Sequence, residues 1–420
     1  MNNSSKASQD FSVAYYIGDR STGAIHVVNR SNGQTTIEHL PVAPGTDLDK
    51  LLKPVMAGLT QDRSVVLLDP RSKEVRLQAD FPADTFPAHL YADPYSERDW
   101  FMNDGDKATG NDTLNCGDKG SSVTVIASTA SRDATFLKTI CIGRGHHQAA
   151  FTPPAASASS VPQRAYISNL NDGTVSVVGN DPNDAASYLK LLATINLCEP
   201  EREEGVADKI PNTAYPHGLA YSTAAGKLYN LNSGYGTVTI IDPVTNVIEQ
   251  RLNFKGYSNL FAAPGGRYLI GRGADRKSDS NHVIAKIAAL DTATNTVTDN
   301  LDLPDIYFSK YYFNAEGTKL YMTTSSSGSP EQQANIKADV VLVFDLTTLP
   351  KLRLIQEIKT GSSGSLAFLV QNGVTELVFS ANAEAGSLVV IDGKTDAVLE
   401  TVEVTVGASH ARIWMLGERA

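Results

Sequence analysis

No apolar run in the 420 residues approaches the about 18 that a membrane-spanning helix needs. Apolar stripes at helical spacing are nearly absent, which argues against a helical bundle or solenoid. No basic run stands out either. A formal charge of −10 and a pI near 5.3 argue against a nucleic-acid-binding surface. The acidic balance promotes solubility and says little about partners. Cysteine is scarce: Cys116, Cys141 and Cys198 cannot form a dense disulfide framework, though one pair and a free thiol can be drawn from them. The first ten residues, MNNSSKASQD, read as a disordered N-terminus and lack the apolar segment of a signal peptide. The expected address is periplasmic or secreted for a processed form, and cytoplasmic otherwise.

Familiar catalytic signatures are missing too. There is no GxSxG elbow, no Walker loop, no HExxH and no CxxCH haem attachment. GRGHHQ and GRGAD read as short Gly-rich turns that do not precede helices, so neither is a phosphate loop. A Ser-His-Asp hydrolase has no support.

What the chain does contain is a repeat. From Tyr215 to Leu252 the sequence spells four short strands, GLAYS, KLYNLN, TVTIID and VIEQRL, separated by clusters of turn-forming residues. A four-stranded unit of this kind cannot bury both faces alone and must stack on copies of itself. Its outer hairpin recurs from Ala24, Ser64, Ser122, Thr174, Thr237, Val283, Asp339 and Ser387, which makes eight copies. Most have an inner strand pair before them, such as NLFAAPGGRYLIG from Asn259 and KYYFNAEGTKLYMTT from Lys310. Spacings of roughly 40–60 residues point to an all-β propeller. Residues 11–420 then form a single domain. Val42 to Arg63 departs from the pattern and reads as a poor strand pair with partly helical character. The hairpin from Ala24 has one strand before it, SVAYYIG, and ARIWML near the C-terminus would complete that blade and close the ring. Counting hairpins gives eight blades, and discounting the degenerate segment gives seven; the count favours eight.

PHGLAYSTAAGKLYNLN, NDGTVSVV and GTVTIIDPVTNVI resemble the YVTN-repeat, or YncE-like, β-propeller superfamily, whose wider relatives include haem d1-type propellers and the nitrous oxide reductase propeller. The resemblance implies the fold across most of the chain and leaves function to the site.

In such a blade the inner strand begins at one mouth of the central channel. His217 stands before its inner strand and eleven positions before Leu228; His89 stands eleven positions before Trp100. The two are therefore expected in equivalent places. His147, with His146 beside it, matches through HQAAF against HGLAY, and His410 heads ARIWML. Tyr257, Ser309 and Ser365 fill the position elsewhere. Imidazoles converging from separate blades can hold a transition metal, with copper favoured and zinc or iron as alternatives. The structural alternative is that such a histidine hydrogen-bonds a neighbouring loop.

Arg144, Arg272, Lys310 and Arg412 map to the same face, where they could hold an anionic ligand, Arg144 and Lys310 being the candidates for a catalytic role. Cys116, Cys141 and Cys198 also fall there. A Cys116–Cys141 disulfide is favoured over thiolate ligation because both lie in one blade. The loop NDGDKATGNDTLNCGDKG from Asn103 lacks the acidic end position of an EF-hand and reads as an ordinary insertion.

Three functions follow. The first is a metal-binding propeller with a histidine-lined site, working as an oxidoreductase or hydrolase. The second is a non-catalytic ligand- or protein-binding scaffold, with Tyr215, Tyr235, Tyr257 and Trp100 as contacts. The third is a haem d1-type cofactor-binding propeller, in which axis histidines ligate iron.

Overall fold

The computed structural model describes residues 13–19, 24–31, 34–41, 56–59, 64–68, 72–80, 87–103, 116, 121–128, 134–154, 161–361, 364–382, 385–404 and 408–415. The stretch read as the best repeat folds as four antiparallel strands in chain order: Pro216–Ser222, Lys227–Asn232, Thr237–Ile241 and Ile248–Asn253. Its outer turn shows how the sequence sets the register. The Asp242 carboxylate accepts from the backbone N–H groups of Val244 (2.7 Å) and Thr245 (3.0 Å), and Asn246 takes the left-handed conformation at φ 59°. The pairing shifts by one residue at Ile240/Ile241, so the hairpin closes on a bulge. The same chemistry recurs at Asp291 with Asn295 and at Asp392 with Asp396.

Among the described residues there are seven four-stranded antiparallel sheets and one of three strands. They are numbered here in chain order, so that the stretch above is the fifth sheet. In the first sheet, Val13–Asp19 and its two following strands are joined by Ala408–Met415, the strand read in the sequence as the missing member. The second is the three-stranded sheet, Met56–Leu59, Ser64–Leu68 and Val75–Asp80. Residues 1–10, read as disordered, lie outside the described residues; of the stretch from Val42 to Arg63, read as a poor strand pair with partly helical character, Met56–Leu59 is a strand and the rest lies outside the described residues.

The two middle strands of a sheet are buried on both faces, whereas the fourth alternates between exposed and half-buried positions, as in Thr296–Pro304. Buried clusters lie between consecutive sheets. Leu228 and Leu219 pack towards the fourth sheet, and Tyr229 and Ala220 towards the sixth. Equivalent clusters join third to fourth, sixth to seventh, seventh to eighth, and eighth to first. From the third sheet to the eighth, and from the eighth to the first, each sheet thereby stacks on the next, the arrangement a two-faced apolar sheet requires.

Hydrogen bonds lock the stack. Tyr166, Tyr229 and Tyr321 each reach past their own sheet, donating respectively to Pro243 O (3.0 Å), Asn295 Oδ1 (2.8 Å) and Asp396 Oδ1 (2.7 Å). Burial raises all three phenols, Tyr166 and Tyr229 to about 12, so they stay protonated donors. Cys116 and Cys141 are disulfide-bonded, and Cys198 is a buried free thiol whose Sγ lies 3.4 Å from Val206 O.

Candidate functional site

The first strands of consecutive sheets lie side by side and open irregularly. In the fifth sheet Pro216 pairs with Asn232 and Gly218 with Leu231, leaving His217 as an extra residue. In the third, Pro87 pairs with Asn103 and His89 with Met102, leaving Ala88 extra. Asn103 and Asn232 are the same position: both are buried and donate to two hydroxyls on the next strand. His89 is therefore equivalent to Gly218, one place beyond His217.

This corrects the eleven-residue count. Trp100 corresponds to Tyr229 rather than Leu228, because the buried asparagine at the strand end sets the register. His147 and His217 do share a position, since His146 pairs with Asn169 as Pro216 pairs with Asn232. His410 pairs with Gly18 next to a bulge and shares the place of His89. The histidines thus fall into two adjacent rows, one through His147, His217 and Ser309, the other through His89, Gln148, Gly218, Asn259, Lys310, Ser365 and His410.

In the second row, one side chain reaches to the next sheet. Lys310 Nζ donates to Ser365 Oγ in the next sheet at 3.0 Å. A Cβ on Gly218 would come within 2.5 Å of Leu260 N in the sixth sheet, so only glycine fits there. The side chains of His146, His147, His410 and Arg412 lie outside the described residues. Among the described residues no three histidine, cysteine or acidic side chains converge as metal donors.

One cavity forms where these strands begin. It measures about 440 Å³ and is lined by His217, Asn259, Arg272, Arg276, Tyr307 and Ser309, among others. GRGAD, expected as a turn, is instead the C-terminal part of the strand Tyr268–Asp275. The reason is steric: a Cβ on Gly271 would strike the Phe254 ring, and one on Gly273 would strike Gly256 O. The two glycines let that backbone approach closely, and Arg272 alone carries a side chain between them.

Arg272 Nη1 donates to Phe308 O at 2.9 Å, and its buried Nε has no acceptor among the described residues. No carboxylate among the described residues pairs with it. Desolvation lowers its pKa, opposed only by Tyr311 and Tyr307. The Oδ1 of Asn259, which pairs with Arg272 across the strands, is also buried without a donor.

His217 Nδ1 lies 2.5 Å from Ser258 O, so Nδ1 carries the proton and Nε2 the lone pair. Desolvation lowers its pKa first, and the Arg272 charge lowers it further, which keeps the imidazole neutral near pH 7. Arg276 stacks over Tyr307 at 5.5 Å on the rim.

The remaining candidates are committed elsewhere. Arg144 Nε donates to Asp172 Oδ1 at 2.8 Å, an ion pair that occupies its guanidinium. Trp100 and Tyr235 are buried, at 0 % and 5 % exposure, and cannot serve as scaffold contacts; Tyr235 donates instead to Glu203. Tyr215 is exposed and Tyr257 half-buried. The sequence reading missed Asn259, Arg276 and the asparagine that sets the register. The recurring Asn-x-x-x-Gly-Thr/Ser of NLNDGT, NSGYGT and NAEAGS was the available signal for the last.

No family model and no curated protein matches the chain. Solved structures do. The dihydro-heme d1 dehydrogenase NirN, in complex with DHE, superposes with a TM-score of 0.61 at 10% identity over 95% of this chain and 74% of that one. Apo AztD from Citrobacter koseri gives 0.55 at 11% over 97% and 100%, and Kuenenia stuttgartiensis hydrazine synthase 0.51 at 13% over 80% and 91%. The chain is a β-propeller. At these identities the likeness establishes the fold alone, and the propeller's chemistry rests on its own residues.

Proposed function

We propose that this propeller is a single eight-bladed ring, with the three-stranded sheet as its second blade and Ala408–Met415 closing it. In this reading it binds a small oxyanion bearing an O–H in the His217–Arg272 cavity. One observation carries the ligand: Arg272 is a desolvated guanidinium with no carboxylate partner among the described residues, facing a cavity of ligand size. An anion would supply the missing charge, and a hydroxyl on it would satisfy Asn259 Oδ1. Titration calorimetry tests this with inorganic phosphate against sulfate, and glycolate against acetate. The member of each pair that carries an O–H should bind several-fold tighter, and Arg272→Met should abolish binding. Equal or absent binding of all four would overturn the proposal.

The two histidine rows support a second reading, in which His89, His146, His147, His217 and His410 hold a transition metal, copper first and zinc or iron next. The observation favouring it is that His147 shares the place of His217, and His410 that of His89, in separate sheets. With Nδ1 bonded to Ser258 O, the ring of His217 is oriented by a backbone carbonyl, as metal-ligating histidines commonly are. The likeness to a protein named for haem d1 makes a tetrapyrrole worth including. Elemental analysis after reconstitution, and again for the His89→Ala/His217→Ala double variant, decides. A ring with its fold intact and no bound metal refutes it.

A further inference from the structure

A second cavity, of about 430 Å³, lies further along the same first strands, away from Arg272. Its wall comes from five consecutive sheets and includes Tyr91, Tyr95, Phe151, Tyr221, Phe261 and Tyr311, with alanine, proline and leucine between the rings. No charged residue lines it. Phe261 and Tyr311 stack face to face, with centroids 3.6 Å apart.

The polar groups here are unspent. Gln148 is 7 % exposed, and its Oε1 has no partner among the described residues. Its backbone is held independently, by Ser168 Oγ, so the side chain is not needed for the sheet. The hydroxyls of Tyr95, Tyr221 and Tyr311 likewise make no hydrogen bond to the described residues. Desolvation, the first cause in each, raises all three phenols, so they are neutral donors. Buried polar groups in folded proteins are nearly always satisfied, so the unpaired Gln148 Oε1 beside an aromatic cavity, with three half-buried tyrosine hydroxyls around it, calls for a partner that enters it.

We propose that this cavity is a binding site for a small neutral aromatic molecule carrying an N–H or O–H, of the indole or phenol class. The ring stacks among the aromatic side chains. Its donor meets Gln148 Oε1, which the soft terminal amide torsion turns towards the cavity. The tyrosine hydroxyls serve any acceptor on its edge. A charged ligand is disfavoured because the lining offers no counter-ion.

The test uses the full chain with indole, phenol, toluene and glucose as probes, followed by saturation-transfer NMR and titration calorimetry. Indole and phenol should bind, and toluene should bind more weakly because it cannot donate. Gln148→Leu should weaken indole by about three- to tenfold, the loss of one hydrogen bond, and leave toluene unchanged. Ala262→Trp, at a half-buried lining position, should abolish binding of both. Phosphate binding at the Arg272 cavity, or the circular dichroism spectrum, reports whether that variant folds; should it not, Tyr221→Phe serves in its place, with a severalfold loss of phenol affinity expected and indole, which has no acceptor, little changed. The proposal fails if indole does not bind, if its affinity ignores Gln148→Leu or a folded Ala262→Trp, or if glucose binds in preference.

Discussion

Replacing Arg272 by methionine separates a ligand-binding arginine from a structural one. Methionine keeps most of the methylene packing and removes the charge. It also removes the bond from Nη1 to Phe308 O, a charge-assisted contact worth about 1.5–3 kcal/mol. Against that stands the desolvation of a cation with no counter-ion among the described residues, several kcal/mol even after relaxation. The balance is a ligand-free protein more stable by about 1 kcal/mol. For a chain of this length, that raises the melting temperature by only about 1 °C, so urea unfolding is the better assay. Phosphate at a hundred times its dissociation constant should stabilise the native protein by about 2.7 kcal/mol and the variant not at all. A structural arginine behaves oppositely. Loss of about 2 kcal/mol or more without ligand, with phosphate stabilisation intact, would refute the reasoning.

Three further expectations follow from the same geometry. His217 has a folded pKa below that of the unfolded chain, so the unfolded state binds more protons as pH falls through about 6.5; stability should drop there and level off below the folded pKa, which an NMR titration of the ring locates. In Arg272→Met that pKa should rise only slightly, because desolvation is its first cause. Gly218→Ala would place a methyl 2.5 Å from Leu260 N and prise apart the first strands of the fifth and sixth sheets, a cost of about 1–3 kcal/mol in urea unfolding; a change within about 0.5 kcal/mol would contradict the close approach. Reducing Cys116–Cys141, which spans 25 residues, should cost about 3 kcal/mol by chain entropy; the same melting curve with and without reductant would show that the denatured loop was already constrained.

The sequence by itself determined the repeat. Alternating β-branched strands, with Asp-led turns closing on Asn246, Asn295 and Asp396, are local signals, and each is decided within a few residues of itself. The pairing of Cys116 with Cys141 and the placing of the C-terminal strand beside Val13–Asp19 followed from counting units. Which histidines share a place was not decided locally. A one-residue slip turns a side chain to the other face of a strand, and the register is fixed by Asn103 and Asn232 reaching across to hydroxyls of the adjoining strand. Only tertiary structure gave His89 the place of Gly218 rather than that of His217, and buried Trp100 and Tyr235. It also made GRGAD part of a strand pressed against Phe254, leaving Arg272 without a counter-ion among the described residues. Burial and missing partners are properties of neighbouring sheets, and a chain read along its own length does not contain them.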